Sequence, residues 1–195
     1  MVDKQAIACA AGIFAAGLHA EYSWADGSFL QADLSPTAAG TVAAVERGQL
    51  TYSGVYSDTD GNAAATASLG YRIPLGAIAA LKIGPSVGAT KDKGEAFGGP
   101  ELGLRAAVDR YTPTSFGAVY LLGEVNTIDN AWFSLAQVSL GQTGLSAEVS
   151  RGGSDTYDEA ALGVNARIGD GPVSLRAGYR LFAEEAFIGV SVNTF

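Results

Sequence analysis

Charge, sulfur and imidazole are all scarce in this chain. Only 16% of its 195 residues are charged, against about a quarter in an ordinary soluble domain. It holds a single cysteine, a single histidine and a single methionine, and these are Cys9, His19 and Met1. One cysteine cannot form an internal disulfide. Long apolar runs are missing too: the most extended is Ala6 to Gly17, too short for a spanning helix, which needs about 20 residues. Because it follows Lys4 and precedes Leu18-His19-Ala20, the run reads as the apolar core and small-residue cleavage site of a secretory signal peptide. Asp3 offsets Lys4, which is unusual for such a leader. A lipoprotein reading of Ala6-Ile7-Ala8-Cys9 is poorer, since the stretch before Cys9 is short and weakly basic.

The expected organisation is a cleaved leader over residues 1–20 and one unit over 21–195, with no composition shift that divides it. Removal of the leader takes Cys9, His19 and Met1 with it. The mature chain then has no cysteine nucleophile, no histidine general base and no Cys or His metal ligand, so the expectation is a protein that is no enzyme and carries no cofactor. A net charge of −8 and a pI near 4.5 exclude nucleic acid as the expected partner. They also argue against docking by charge on an anionic leaflet.

What the chain does have is alternation. From Ser28 onward apolar residues recur with period two, broken at intervals by Gly, Asp, Asn, Pro or Ser clusters, and helical periodicity is absent. Ala63, Ala65, Ala67, Leu69, Tyr71 and Ile73 share one face, opposite Ala64, Thr66, Ser68, Gly70 and Arg72. Similar patterns run over 101–108, 160–168 and 173–181, whereas 116–125 and 131–141 are apolar on both faces. Pro85, inside the strand near 79–89, cannot donate to a ladder.

Strands expected at 27–35, 38–46, 48–57, 62–74, 79–89, 99–110, 115–125, 130–141, 143–151, 158–169, 172–182 and 185–195 number about twelve, with ten the alternative because the first two are weak. Both even counts suit an all-β fold, a closed antiparallel transmembrane β-barrel. Tight turns and longer loops alternate along the chain, except that 109–115 is long for a turn. Aromatics gather near strand ends at Tyr22, Trp24, Phe29, Tyr56, Tyr71, Tyr111, Phe116, Trp132, Phe182 and Phe195, where interfacial girdles would lie.

The last strand, with alternating Ile188, Val190 and Val192 before a terminal Phe195, resembles the carboxy-terminal strand of bacterial outer-membrane proteins. Tyr22-Ser23-Trp24 followed by Gly27-Ser28-Phe29 is similar to the opening of small porin-like barrels of Proteobacteria. The resemblance implies location in the bacterial outer membrane and contact with its lipid and lipopolysaccharide. It also implies that Phe195 is the assembly signal read by the barrel-assembly machinery. Val190 and Val192 are out of phase with Phe195, and a bulge near Asn193-Thr194 would reconcile them.

Candidate functional residues lie on the polar face. Arg72, Lys82, Arg105, Arg167, Arg176 and Arg180, with Glu101 and Glu148, are expected to line the lumen, since charges at mid-depth against lipid cost about 2–4 kcal/mol each. One reading is a basic lining that favours anionic solutes; the other pairs these cations with Glu101, Glu148 and Glu124 in a packed interior. Small residues there (Ser68, Gly70, Gly103, Gly163, Gly178, Gly189) suit either. Asp58, Asp60, Asp92, Glu95, Asp155, Asp158, Glu159, Glu184 and Glu185 are expected in outer loops, where they bridge cations to lipopolysaccharide or serve only as solvated surface. Asp58-Thr59-Asp60-Gly61-Asn62 has oxygen ligands suited to Ca²⁺, although Asp-Gly-Asn is turn chemistry in its own right.

Three functions follow: a passive or weakly anion-selective channel for small solutes, a plugged structural or adhesive barrel presenting acidic loops, or a soluble secreted barrel with its apolar face inward. Oligomeric state is left open.

Overall fold

The computed structural model describes residues 26–76 and 78–195. The expected leader, with Cys9 and His19, and the opening Tyr22 and Trp24 lie outside the described residues. The rest forms twelve strands: β1 (Gly27–Leu34), β2 (Ala38–Arg47), β3 (Leu50–Thr59), β4 (Asn62–Leu75), β5 (Ala79–Lys91), β6 (Glu101–Thr114), β7 (Gly117–Asn126), β8 (Trp132–Ser139), β9 (Leu145–Gly153), β10 (Asp158–Arg167), β11 (Val173–Arg180) and β12 (Glu185–Asn193). Each pairs antiparallel with its chain neighbours, and β1 pairs with β12, so the sheet closes into a barrel without free edges.

Period-two alternation decides the facing, since successive side chains point to opposite sides of a strand. Directly paired residues share a side, so one row fixes its neighbours. Val190, Leu175 and Ala32 point outward with Leu30, Val192 and Ile188, while Gly189, Arg176 and Asp33 point inward. The outward set is large, apolar and open: Leu102 is 88% exposed, Ile188 69% and Leu104 60%. The two ambiguous segments resolve the same way. Val119, Leu121 and Val125 of β7 face out with Val138, Ala136 and Trp132 of β8, leaving Tyr120, Leu122, Phe133 and Leu135 inward.

Three expectations need correction. The long turn at 109–115 is strand: β6 runs to Thr114, and residues 115–116 alone connect it to β7. The bulge near Asn193-Thr194 is absent, because the β1–β12 register is constant and Thr194 N continues it by donating to Ser28 O at 3.0 Å. Phe195 stays on the inward parity: a β-carbon on Gly27 would lie 2.3 Å from its Cδ1. The aromatic belt is likewise mixed, with Tyr56, Tyr71 and Trp132 outward but Phe29 and Tyr111 inward. Pro85 interrupts the ladder as its missing N–H requires, since pairing of β4 with β5 lapses between Ser68↔Ser86 and Tyr71↔Ile83 without changing register.

Gly27 and Phe195 mark one end of the barrel, the terminal end. Connections there are 48–49, 76–78, 115–116, 140–144 and 168–172, and the far end carries 35–37, 60–61, 92–100, 127–131, 154–157 and 181–184.

Candidate functional site in the lumen

All six expected lumen cations have inward parity, and four of them meet carboxylates. On β11, Arg176 Nε donates to Asp33 Oδ1 at 2.9 Å, its Nη2 to Glu148 Oε1 at 2.7 Å, and its Nη1 to Asn165 Oδ1 at 2.6 Å. Gln137 Nε2 donates to Glu148 Oε2 at 3.1 Å and Gln31 Nε2 to Asp33 Oδ2 at 2.6 Å. One guanidinium thus ties β8, β9 and β10 to β1 across the closing seam. The fork of Arg suits two carboxylates at once, which a lysine would not.

Nearer the far end Arg180 bridges Glu185 at 2.5 Å and Glu159 at 3.3 Å, and its Nη2 donates to the Tyr157 hydroxyl at 3.3 Å. Burial pushes the Tyr157 phenol above its ordinary value, so its hydroxyl remains a neutral acceptor for the arginine. Glu185 also accepts from the hydroxyls of Ser35 at 2.6 Å and Thr37 at 2.8 Å. Glu159 and Glu185 therefore do not belong to the solvated loops where they were expected; they open β10 and β12 and turn inward. Near the terminal end Lys82 contacts Glu46 and reaches Asp109 Oδ2 at 3.3 Å. Arg105 pairs with Glu124 of the adjacent strand.

These side chains are scarcely open to water. Arg176 is 4% exposed and Arg105, the most open of the four cations, 14%. The inward glycines explain how they fit. A β-carbon on Gly189 would fall 2.0 Å from Asp33 Oδ1, one on Gly178 2.4 Å from the Phe187 ring, and one on Gly163 3.0 Å from Glu148 Cγ. Small residues here seat the neighbouring side chains. Gly103 does the same for Ile128, whose Cγ1 would lie 2.6 Å from an added β-carbon. Ile128 belongs to the β7–β8 connection and is buried. Asn126 Oδ1 fixes that connection by accepting from Ser86 Oγ at 3.0 Å and Ile128 N at 3.1 Å.

Three expected lining residues differ. Arg167 and Glu101 are exposed at opposite ends of the lumen, and Arg72 is half-buried beside Lys82. None of these three forms an ion pair among the described residues.

The opposite arc of the lumen has another character. Inward residues of β2, β3 and β4 toward the far end are Gly40, Val42, Ala44, Ser53, Val55, Ser57, Ala64, Thr66 and Ser68. All are small or neutral, and Val55 is 38% exposed although it points inward. Room for water therefore lies along this neutral wall.

The acids that complete the ion pairs were mostly missed in the sequence. Asp33 and Glu46 sit on the two weakest strands, and Asp109 fell in the supposed turn. Glu46 and Asp109 lie at the ends of expected strands, 38–46 and 99–110, and it is the register that sets Glu46 opposite Thr51 and Asp109 opposite Ala80. The proposed Ca²⁺ stretch is a turn with Asp60 and Gly61 at positive φ, closed by Gly61 N donating to Asp58 Oδ1 at 3.0 Å. Among the described residues no group of three or more His, Cys, Asp or Glu is placed to hold a metal ion. On the outer surface Arg151 pairs with Asp158 at 2.8 Å and lies over the rings of Trp132 and Phe182.

No family model matches the chain, and no curated protein is similar to it by sequence.

Proposed function

We propose that this chain is a bacterial outer-membrane β-barrel whose lumen gives small solutes a narrow passive passage without anion preference. The membrane reading is supported by the facing: large apolar side chains point outward around a closed barrel, and charges at mid-depth point inward. A soluble barrel would need the reverse, because a continuous exposed apolar surface of this kind drives association in water. Outer-membrane lipid, lipopolysaccharide and the barrel-assembly machinery are the partners this reading entails, with Phe195 the proposed assembly signal. No catalytic role and no cofactor form part of it.

One observation carries the transport reading: four of the six lumen cations are buried against carboxylates, while toward the far end the inward faces of β2–β4 are neutral and more open. An anion-selective pore needs unpaired cations facing the permeating solute. Here the fields of those four cations are cancelled by adjacent carboxylates, and the passage runs along a wall that does not sort charge. Single-channel recording in planar bilayers, with the reversal potential read in a salt gradient, tests this. Small steps reversing near zero are expected. Strong anion selectivity contradicts the neutral passage, and insertion without conductance assigns the chain to the plugged structural class.

A further inference from the structure

Three of the four buried side-chain atoms without a hydrogen-bond partner among the described residues sit around one lysine. They are Thr51 Oγ1, Arg72 Nε and Asp109 Oδ1, and the fourth is Thr114 Oγ1 at the last residue of β6. Thr51, Arg72 and Asp109 all face inward in the terminal half of the lumen. Arg72 is the direct cross-strand partner of Lys82, and Asp109 Oδ2 accepts from Lys82 Nζ. A β-carbon on Gly70 would lie 3.7 Å from Lys82 Cβ and 3.8 Å from Thr51 Cβ, so both side chains flank the same glycine. Glu46, directly opposite Thr51 in the β2–β3 register, closes the group by its contact with Lys82. Thr51 is only 3% exposed. A hydroxyl withdrawn from water without a partner is costly, and native interiors rarely tolerate it.

The chemistry of the guest follows from the open atoms. Formal charges balance, Glu46 and Asp109 against Arg72 and Lys82. A bare anion would satisfy Arg72 and Thr51 but face the Asp109 carboxylate. A bare cation would be opposed by both bases. The free groups are an N–H donor, a carboxylate acceptor and a hydroxyl that does either. A guest that accepts from Arg72 and donates to Asp109 must carry both functions without charge, and a hydroxyl is the smallest group that does.

We propose that Thr51, Arg72 and Asp109 form a binding site for a neutral hydroxyl, supplied by water or by an uncharged hydroxylated solute such as a sugar. The solute source rests on the passage proposed above; the water source does not. A buried polar site is the setting in which internal water is structural.

Thr51→Val and Thr51→Ser unfolded by urea in detergent micelles test the site. With a hydroxyl bound, Thr51→Val lowers the folding equilibrium constant about fivefold, the worth of one net hydrogen bond, and Thr51→Ser loses less. If the valine variant is as stable as the parent or more so, Thr51 had no partner to lose and the proposal falls. NMR magnetisation transfer on the parent protein gives a readout that needs no variant: a cross-peak from water or from added glucose to the Thr51 methyl is expected, and the absence of both overturns the site. Glucose that stabilises the parent more than Thr51→Val assigns the hydroxyl to solute; equal increments assign it to water. Since these readouts are not currents, a non-conducting barrel refutes the passage without touching the water site.

Discussion

The lumen has two unlike walls. Along β9 to β12 and β1 the inward charges Asp33, Glu148, Glu159, Arg176, Arg180 and Glu185 are paired and mostly closed to water, whereas toward the far end of β2 to β4 the inward residues are small, neutral and more open. The outward faces of both arcs carry large exposed apolar side chains, Leu50, Leu69 and Ile73 on one and Leu162, Leu175 and Ile188 on the other, so the difference does not arise from the outer side. It arises from how each wall fills the space inside a wide barrel. The charged wall fills it with side chains that lie sideways along the sheet over glycines. The neutral wall leaves it open. Charge in a barrel interior is therefore no sign of a selective pore, since what matters is whether each cation has a carboxylate within reach.

The largest effect should come from breaking the charged wall at its centre. Arg176→Ala leaves Asp33 and Glu148 facing each other without their shared cation, and removing one partner of a buried pair costs about 3–5 kcal/mol. Urea unfolding in micelles should show a midpoint lowered accordingly. Removing a seat comes next. Gly189→Val sets a β-carbon 2.0 Å from Asp33 Oδ1 and 2.4 Å from Ala32 O, an overpacking worth about 1–3 kcal/mol, read in the same titration. The neutral wall should answer differently. Val55→Arg places an unpaired cation where water has room, so the reversal potential moves toward anions while stability changes by no more than about 0.5 kcal/mol, as for an open surface site. The smallest effect belongs to Arg151→Ala outside the lumen, where an exposed pair contributes little, and the unfolding midpoint should not move.

Much of this architecture is legible in the sequence, and the reason is the simplicity of period two. The alternation in 62–74 and 172–182 places Arg72 and Arg176 on the face opposite the apolar row by parity alone. Parity carries less where both faces are apolar: Tyr120, Leu122, Phe133 and Leu135 fill the lumen, and nothing local distinguishes them from Val119 or Val138. It also carries less at strand ends. Glu159 and Glu185 sit beside turn residues and look like loop acids until the pairing Arg180↔Glu185 is known. The neutral wall was not legible at all, because its openness depends on which residues stand across the barrel. The unpartnered atoms of Thr51, Arg72 and Asp109 belong to three different strands, and no alternation within one strand relates them.

The central claim is that the outward face meets lipid while the lumen meets water, and paired cysteine labels test it directly. With Cys9→Ala as background, a fluorophore on Leu175→Cys reports the outward face of the charged arc and one on Val55→Cys the interior of the neutral arc. After refolding into vesicles, brominated lipid should quench the label at 175 and aqueous iodide the label at 55. Iodide quenching at 175 together with insensitivity to brominated lipid would mean the apolar face does not lie in a membrane, and would contradict the account.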